Sequence, residues 1–573
     1  MNNIKKFIVL FLGVLTKKQK KHFAIYVFLL FIASISSIFG ISAVIPFIAL
    51  LAEPEKAESV KILKGIDFFT LLYLASFGIV LAFWIKNSIG GFVIYFQTKF
   101  LNSIAVGIKN RLFKQYIYMP YQNHLNRSTP HLIKIINNEI EHLSVGILNP
   151  IGHVLVDSFA IFFTLLLLFY LNFLFSLIIV GVLTIFIYLF VLFIRNKLKY
   201  YGVLRSEALK EITKSTIDAL QGIKETKLYH KENYFTNSFN AKAHSLKEAS
   251  VFIQFYQQIP KFFIEIIAIT TVIVTLMIFK NLGTSTSELI LLVSVFGIAA
   301  AQLLPALNRI MASLTLMRYS IPALVSINQE LHSNQISSVY DNQEFSKIKP
   351  PVFNNRIELS NIDFSYSDGT KALNDISCTI EKGKRTAFIG PSGAGKSTLV
   401  DLLMGFYQEQ NGNITLDGRK FINNKEKLAF QKLFAYIPQQ IILFDATIRE
   451  NIAFGQDVNS IDNEKVWNCL EMAQMKEFVE NLKGNLEANI GEGGIRLSGG
   501  QRQRLGIARA LYQDPEILVM DEATSALDSE TESKIVNMIN KLTGLTIVTI
   551  AHRLSTIKGY DKVYKLSNGV IES

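Results

Sequence analysis

Charge is scarce in this chain: only 18% of its 573 residues are Asp, Glu, Lys or Arg, against 50% hydrophobic. So low a polar content argues against an ordinary large soluble enzyme and toward a membrane class. Cysteine is scarcer still. Cys378 and Cys469 are the only two, neither has a partner at metal-ligand spacing, and both fall in the more polar part of the chain. That excludes a disulfide scaffold and a thiolate metal site and leaves two reduced thiols. The start of the chain reads poorly as a cleavable leader. Behind the basic, apolar start of the chain stands Lys17-Lys18-Gln19-Lys20-Lys21, where small cleavage-site residues belong. Residues 1–20 therefore read as an amphipathic interfacial segment leading into the first span.

What is abundant is unbroken apolar sequence. Six runs, at roughly 22–51, 68–96, 144–171, 173–194, 251–279 and 287–318, are each long enough to cross a hydrocarbon core of about 30 Å. The stretch Phe159 to Phe169 is apolar on nearly every helical face, unlike a surface helix of a soluble protein. The net charge of +12 is not evenly spread. Residues 1–330 carry 31 Lys and Arg against 16 Asp and Glu, leaving 27 against 30 for the rest. A basic excess confined to the apolar half fits an anionic membrane surface or substrate and excludes nucleic acid as partner. Lys and Arg cluster at the N-terminus and in the connections 99–134 and 195–247, which places these on the cytosolic side. Both connections keep a helical period and reverse in short polar stretches near Pro120–Thr129 and Tyr229–Phe235. They read as spans extended beyond the bilayer, with turns able to dock on a cytosolic domain. Helical spacing at 53–65 suggests a short external interfacial helix.

Residues 326–355, with Ser, Asn, Gln and Pro350-Pro351, read as a linker between a membrane domain at 21–325 and a domain at 356–573. In that last domain short β-rich runs alternate with helices, the pattern of a largely parallel α/β sheet. The fold class expected is a polytopic α-helical membrane domain of six transmembrane helices fused to an α/β P-loop nucleotide-binding domain.

The loop Gly390-Pro391-Ser392-Gly393-Ala394-Gly395-Lys396-Ser397 follows an apolar strand and opens a helix at Thr398. Its glycines let backbone N–H groups turn toward phosphates, Lys396 reaches the β and γ phosphates of ATP, and the Ser397 hydroxyl suits Mg²⁺. A second apolar strand, Ile517 to Met520, ends in Asp521-Glu522. Asp521 is placed to hold Mg²⁺ and Glu522 to orient and deprotonate the attacking water.

With these motifs stands Leu497-Ser498-Gly499-Gly500-Gln501, and here the sequence resembles the ATP-binding cassette family, whose signature is LSGGQ. The resemblance covers the whole chain, six spans and then one cassette, the plan of a half-size exporter. It implies that Tyr366 stacks on adenine, that Gln439 touches Mg²⁺ and the water, that Asp528 belongs to the D-loop and that His552 contacts the γ-phosphate. It also implies that Ser498, Gly499, Gly500 and Gln501 complete the ATP site of a second copy, hence a homodimer. Gly491-Glu492-Gly493-Gly494 stands where exporters carry a coupling segment but lacks the arginine after the glutamate.

The membrane half is similar to PglK-type flippases of polyprenyl-diphosphate-linked oligosaccharides, in Ile41 to Ile48, Ile259-Pro260-Lys261 and Leu304 to Ile310, although Gln302 replaces a basic residue. Lys86, Lys261 and Arg309 lie within apolar spans, where a cation is costly unless it faces a wet cavity or an anion. A lipid-linked diphosphate is such an anion; the alternative places these cations at span ends or pairs them with Glu265. The resemblance implies an ATP-driven flippase of a bacterial inner membrane, with its cassette in the cytosol and an anionic lipid-linked substrate. An MsbA-like lipid flippase or a peptide or drug exporter is the alternative, and a non-transporting membrane ATPase a weaker one.

Overall fold

In the computed structural model the described residues are 2–52, 68–125, 127–171, 173–281, 286–333, 348–421, 424–521, 544–551 and 559–572. Side chains of 2–6, 36–52, 286–296, Leu171, Phe175, Ile179, Ile298 and Gln302 also lie outside the description. The external segment 53–65, Glu522, Asp528 and His552 therefore fall beyond it. The chain forms two compact bodies, one of Met1–Met119 with His124–Gln335, the other of Pro120–Asn123 with Ile336–Ser573.

Among the described residues the first body is helical apart from short turns. Five of its helices, among the described residues, are long and apolar enough to cross a membrane: Phe68–Tyr118, Thr129–Tyr170, Ser176–Gln221, Glu232–Asn281 and Ala299–His332. The helix Lys17–Ala52 carries the first apolar run of the sequence. Lengths of 46 to 51 residues in three of these helices far exceed the 20 or so a bilayer needs, so the spans continue as helices into water. Helices approach closely at small residues: a Cβ on Gly202 would meet the Tyr319 carbonyl at 2.3 Å, and one on Gly152 the Tyr26 hydroxyl at 2.3 Å.

Three boundaries differ from the sequence reading. The amphipathic segment is a helix only over Asn2–Val14, and the lysine cluster opens the first span helix at Lys17. Its inner face is covered by protein: Phe11, Val14 and Leu15 are buried, Asn328 donates to the Leu10 carbonyl at 2.9 Å, and Arg111 donates to that of Val14 at 2.8 Å. The last helix does not stop at 325 but runs through Ser333. Buried Tyr319, Ala323, Leu324 and Ile327 continue a helical stripe that the polar residues between them hide. The second cytosolic reversal begins earlier than expected, at Gly222, with a short helix Ile223–Leu228 before the turn at Tyr229.

Among the described residues, the buried charges of this body stand in company. Glu139, fully buried, pairs with Lys134 at 3.1 Å and Arg205 at 2.8 Å, and accepts from the Ser206 hydroxyl at 3.1 Å. Burial works against the Glu139 carboxylate, but Arg205 and then Lys134 hold its pKa below the ordinary value. This cluster sits on the π-helical stretch Lys134–Glu139; a second such stretch, Ser144–Leu148, follows. Widened turns of this kind insert a residue and re-aim the side chains around them.

The second body is an α/β domain with two sheets. A four-stranded antiparallel sheet runs β2-β1-β4-β5, from β1 (Arg356–Ser365), β2 (Lys371–Glu381), β4 (Asn411–Leu416) and β5 (Arg419–Lys420). The six-stranded sheet runs β10-β9-β3-β8-β7-β6, from β3 (Arg385–Ile389), β6 (Phe434–Ile437), β7 (Ile517–Asp521), β8 (Thr546–Ala551), β9 (Lys562–Ser567) and β10 (Val570–Glu572). Its strands are parallel except β10, which turns back on β9. Strands β7 and β8 are buried on both faces, which explains their continuous apolar runs. Cys378 and Cys469 are both free and buried, and burial pushes their thiols up to about 12 and about 11, so neither is a reactive thiolate.

Candidate active site at the edge of the parallel sheet

Register brings the candidate residues to one edge. Ile389 at the end of β3 pairs with Ala551, and Asp521 at the end of β7 pairs with Ile550. The carboxyl ends of β3, β7 and β8 are therefore level with one another, at the edge where α/β sheets bind ligands. Glu522 and His552 follow Asp521 and Ala551 directly in sequence and lie outside the described residues.

The loop itself is shaped by glycines that no other residue could replace. Gly390 has φ 149°, and a Cβ there would lie 2.1 Å from the Leu566 carbonyl; Gly395 has φ 95° and would meet the Ala372 carbonyl at 2.7 Å. Gly395 caps the helix Lys396–Leu403 in a left-handed conformation, which turns the loop amides over the helix N-terminus. Lys396 is nearly buried and donates to the carbonyls of Gly390 and Pro391 at 2.9 and 2.8 Å. The ammonium is thus held inside the loop it is meant to serve. Pro391, Ser392, Gly393 and Ser397 are exposed on the rim, while Ala394 and Thr398 are buried.

Two carboxylates stand beside this cradle, one of which the sequence reading overlooked. Asp401, one turn into the helix, has its carboxyl pushed up to about 6 by burial and by Asp521. The Tyr436 hydroxyl donates to Asp521 at 3.3 Å, and burial, Asp521 and Asp401 raise its pKa. Gln439, just beyond β6, is exposed at the same end of the sheet. The signal for Asp401 was present in the sequence, an acid four residues after Ser397 on a helix otherwise apolar at that point.

Tyr366 ends the β1 face of the site. Its hydroxyl lies 2.6 Å from the Thr398 hydroxyl, and its ring stands edge-on to Phe364 and Tyr407. Ser498 caps the helix Gly499–Leu511: its hydroxyl accepts from the Gln501 amide at 3.2 Å, and the Gln501 side chain accepts from the Ser498 amide at 2.8 Å. This capping box leaves Ser498 and Gly499 exposed at the helix N-terminus, where dipole and amides favour an anion.

These residues fit ATP and Mg²⁺. The cradle exists only because Cβ atoms are absent from it, a cation lies within it, and a carboxylate pair flanks it. Two family models match the chain, "ABC transporter transmembrane region" over residues 23–300 and "ABC transporter" over residues 373–525. An ATP-dependent lipid A-core flippase of Saccharophagus degradans is 30% identical over 495 residues, covering 85% of this chain and 82% of its own. This chain is an ABC transporter. The heterocyst differentiation ATP-binding protein HepA of a Nostoc species is also 30% identical, over 87% of this chain and 81% of its own. A solved bacterial Atm1-family ABC exporter with ATP bound superposes with a TM-score of 0.76 at 24% identity, over 97% of this chain and 94% of that one. With one membrane region and one cassette on a single chain, this ABC transporter is an exporter-type half-transporter, a multi-pass membrane protein that hydrolyses ATP to drive transport.

The three intramembrane cations of the ABC transporter are placed on three helices. Lys86 is half-buried with its ammonium 5.3 Å from the centre of the Phe83 ring, and Lys261 is exposed. Arg309 pairs neither with Glu265 nor with a span end. It makes a bidentate bond to Asp157 on the third span, Nη2 to Oδ1 at 2.7 Å and Nε to Oδ2 at 3.0 Å. The Asp157 side chain is 3% exposed and that of Arg309 55%. An acid within an apolar run was the sequence signal for this partner, and it had been passed over.

Proposed function

We propose that two copies of this chain form a homodimer in a bacterial inner membrane, cassettes in the cytosol. It uses ATP to flip a polyprenyl-diphosphate-linked oligosaccharide to the outer leaflet. The observation that carries the anionic substrate is Arg309. A guanidinium within a span, oriented by a buried carboxylate and still half open, is a preset fork for phosphate oxygens. Lys86 and Lys261 add charge from the second and fifth spans.

At each ATP site Lys396 leaves the Gly390 and Pro391 carbonyls for the β and γ phosphates. The 390–398 loop supplies amides, and Ser397, Gln439 and Asp521 would hold Mg²⁺, which when bound would supply positive charge beside the phosphates. Glu522 takes the proton of the attacking water, and His552 and Gln439 orient the reacting groups. Ser498, Gly499, Gly500 and Gln501 of the second copy close the site, with Asp528 at the seam; the exposed, preformed N-terminus of helix Gly499–Leu511 supports this role.

A second reading, an MsbA-like lipid flippase, is favoured by the lipid A-core flippases among the relatives. The two separate in vesicles reconstituted with the purified protein. Polyprenyl-diphosphate-linked glycan should stimulate ATP hydrolysis more than lipid A-core does, and Arg309→Ala should remove that stimulation. Stimulation by lipid A-core alone, insensitive to Arg309→Ala, would replace the first reading with the second.

A further inference from the structure

Three helices of the membrane body meet at one level, where buried Ile194 and Leu198 of the fourth span, Ala249 and Ile253 of the fifth and Tyr319 of the sixth pack together. Around this level they carry no acid: there is no Asp or Glu at 183–204, 249–264 or 289–329. The same stretches carry Arg195, Lys197, Lys199, Lys261, Arg309 and Arg318. Arg309 has Asp157 as its counter-ion. Arg318 has none among the described residues. It donates to the Val191 carbonyl at 3.4 Å, and the charge acting on it is that of Arg195. Val191 and Arg195 lie one turn apart on one face of the fourth helix, so two guanidiniums share the groove between the fourth and sixth helices. Arg318 is half-buried and Arg195 exposed. Like charges brought together in such a place cost free energy that an anion between them would offset.

The fourth helix indicates which anion. Tyr188, Leu192, Arg195 and Lys199 recur at helical spacing on one face, and all four are exposed. A stripe that is apolar in its first half and basic in its second matches an acyl chain joined to a phosphate, not a soluble ion. The place is also separate from Arg309. Nine residues are about 14 Å along the sixth helix and half a turn round it, so Arg309 meets the third span and Arg318 the fourth. We propose that Arg318 and Arg195 form a second anion site, which takes the phosphate of an anionic phospholipid of the cytosolic leaflet and ties the fourth helix to the sixth. Arg318 keeps donors beyond the one on the Val191 carbonyl, Arg195 approaches from the exposed side, and an acyl chain runs along Leu192 and Tyr188. The site is independent of what is transported.

Full-length protein, delipidated in detergent, is titrated with phosphatidylglycerol, phosphatidylcholine and inorganic phosphate. Bound lipid is counted by native mass spectrometry and the unfolding temperature is followed. Phosphatidylglycerol should bind about tenfold more tightly than phosphatidylcholine and raise the unfolding temperature, which inorganic phosphate at the same concentration should leave unchanged. Arg318→Ala should weaken the tightest phosphatidylglycerol step by about tenfold, through loss of a charge-assisted phosphate contact, without affecting phosphatidylcholine. Arg318→Lys should fall between and serves if the alanine variant does not fold. Arg309→Ala and Lys99→Ala, the second an exposed cation on the second span, should leave that step unchanged. Equal affinity for the two lipids, wild-type affinity in both Arg318 variants, or an equal loss in Lys99→Ala would overturn the site. An equal loss in Arg309→Ala would merge it with the proposed substrate site and overturn it as a second one. Stabilisation by inorganic phosphate equal to that by phosphatidylglycerol would overturn a lipid as its occupant.

Discussion

The two bodies of this transporter treat charge in opposite ways. In the membrane body three carboxylates are held in pairs and triads: Glu139 with Lys134 and Arg205, Asp157 with Arg309, and Glu330 with Arg127 and, at 3.4 Å, His131. In the nucleotide-binding body the charges that matter stand at a sheet edge, and Lys396 is held by backbone carbonyls that it can exchange for phosphates. A buried pair costs desolvation whether or not it functions, so it serves to hold helices in one register or to switch between two. An open edge stores its binding energy for the ligand.

The contrast is sharpest if one charge on each side is removed. Glu522→Gln should lower ATP turnover by about 10²-fold or more while leaving ATP able to trap the closed dimer, read by steady-state hydrolysis and by nucleotide retention. Normal hydrolysis in that variant would remove Glu522 as the base. On the membrane side, Arg205→Ala leaves Glu139 buried beside Lys134 alone and should cost about 3–5 kcal/mol of stability, read by thermal unfolding in detergent. The same cluster carries a pH dependence. Glu139 has a folded pKa below its ordinary value of 4.5, so its stabilisation is complete above that value and is lost as pH falls through the lowered one. Wild-type unfolding should therefore steepen below about pH 4.5, and Glu139→Gln should flatten that limb.

Asp157→Asn probes the pair itself. It should retain basal ATP hydrolysis and change the concentration of anionic lipid needed for half-maximal stimulation by about tenfold, since an Arg fork loses one charge-assisted partner worth about 1.5–3 kcal/mol. An identical lipid dependence in wild type and variant would make the pair purely structural. The smallest effect expected is at a helix cap. Thr447 closes a capping box with Glu450, and Thr447→Ala should cost about 1 kcal/mol in the nucleotide-binding body without altering ATP affinity.

Much of this was legible in the order of residues. The phosphate loop, the strand ending at Asp521 and the signature sequence are local: each glycine or carboxylate acts within a few residues of the backbone that positions it. The helical connections were legible too, because a 3.6-residue period survives outside the membrane. What escaped reading depends on neighbours distant in sequence. Residues 326–333 look like a linker until Tyr319, Ala323, Leu324 and Ile327 are seen to be buried. The partner of Arg309 is 152 residues away. The π-helical stretches Lys134–Glu139 and Ser144–Leu148 have no periodicity of their own to announce them.

By itself, then, the sequence determined that this is a membrane-embedded ATPase with a phosphate cradle at Gly390–Ser397, because apolar run length and loop chemistry act locally. Only the tertiary structure decided which charges meet and which ring touches which. A pairing such as Asp157 with Arg309 exists because two helices pack there, and neither helix encodes the other.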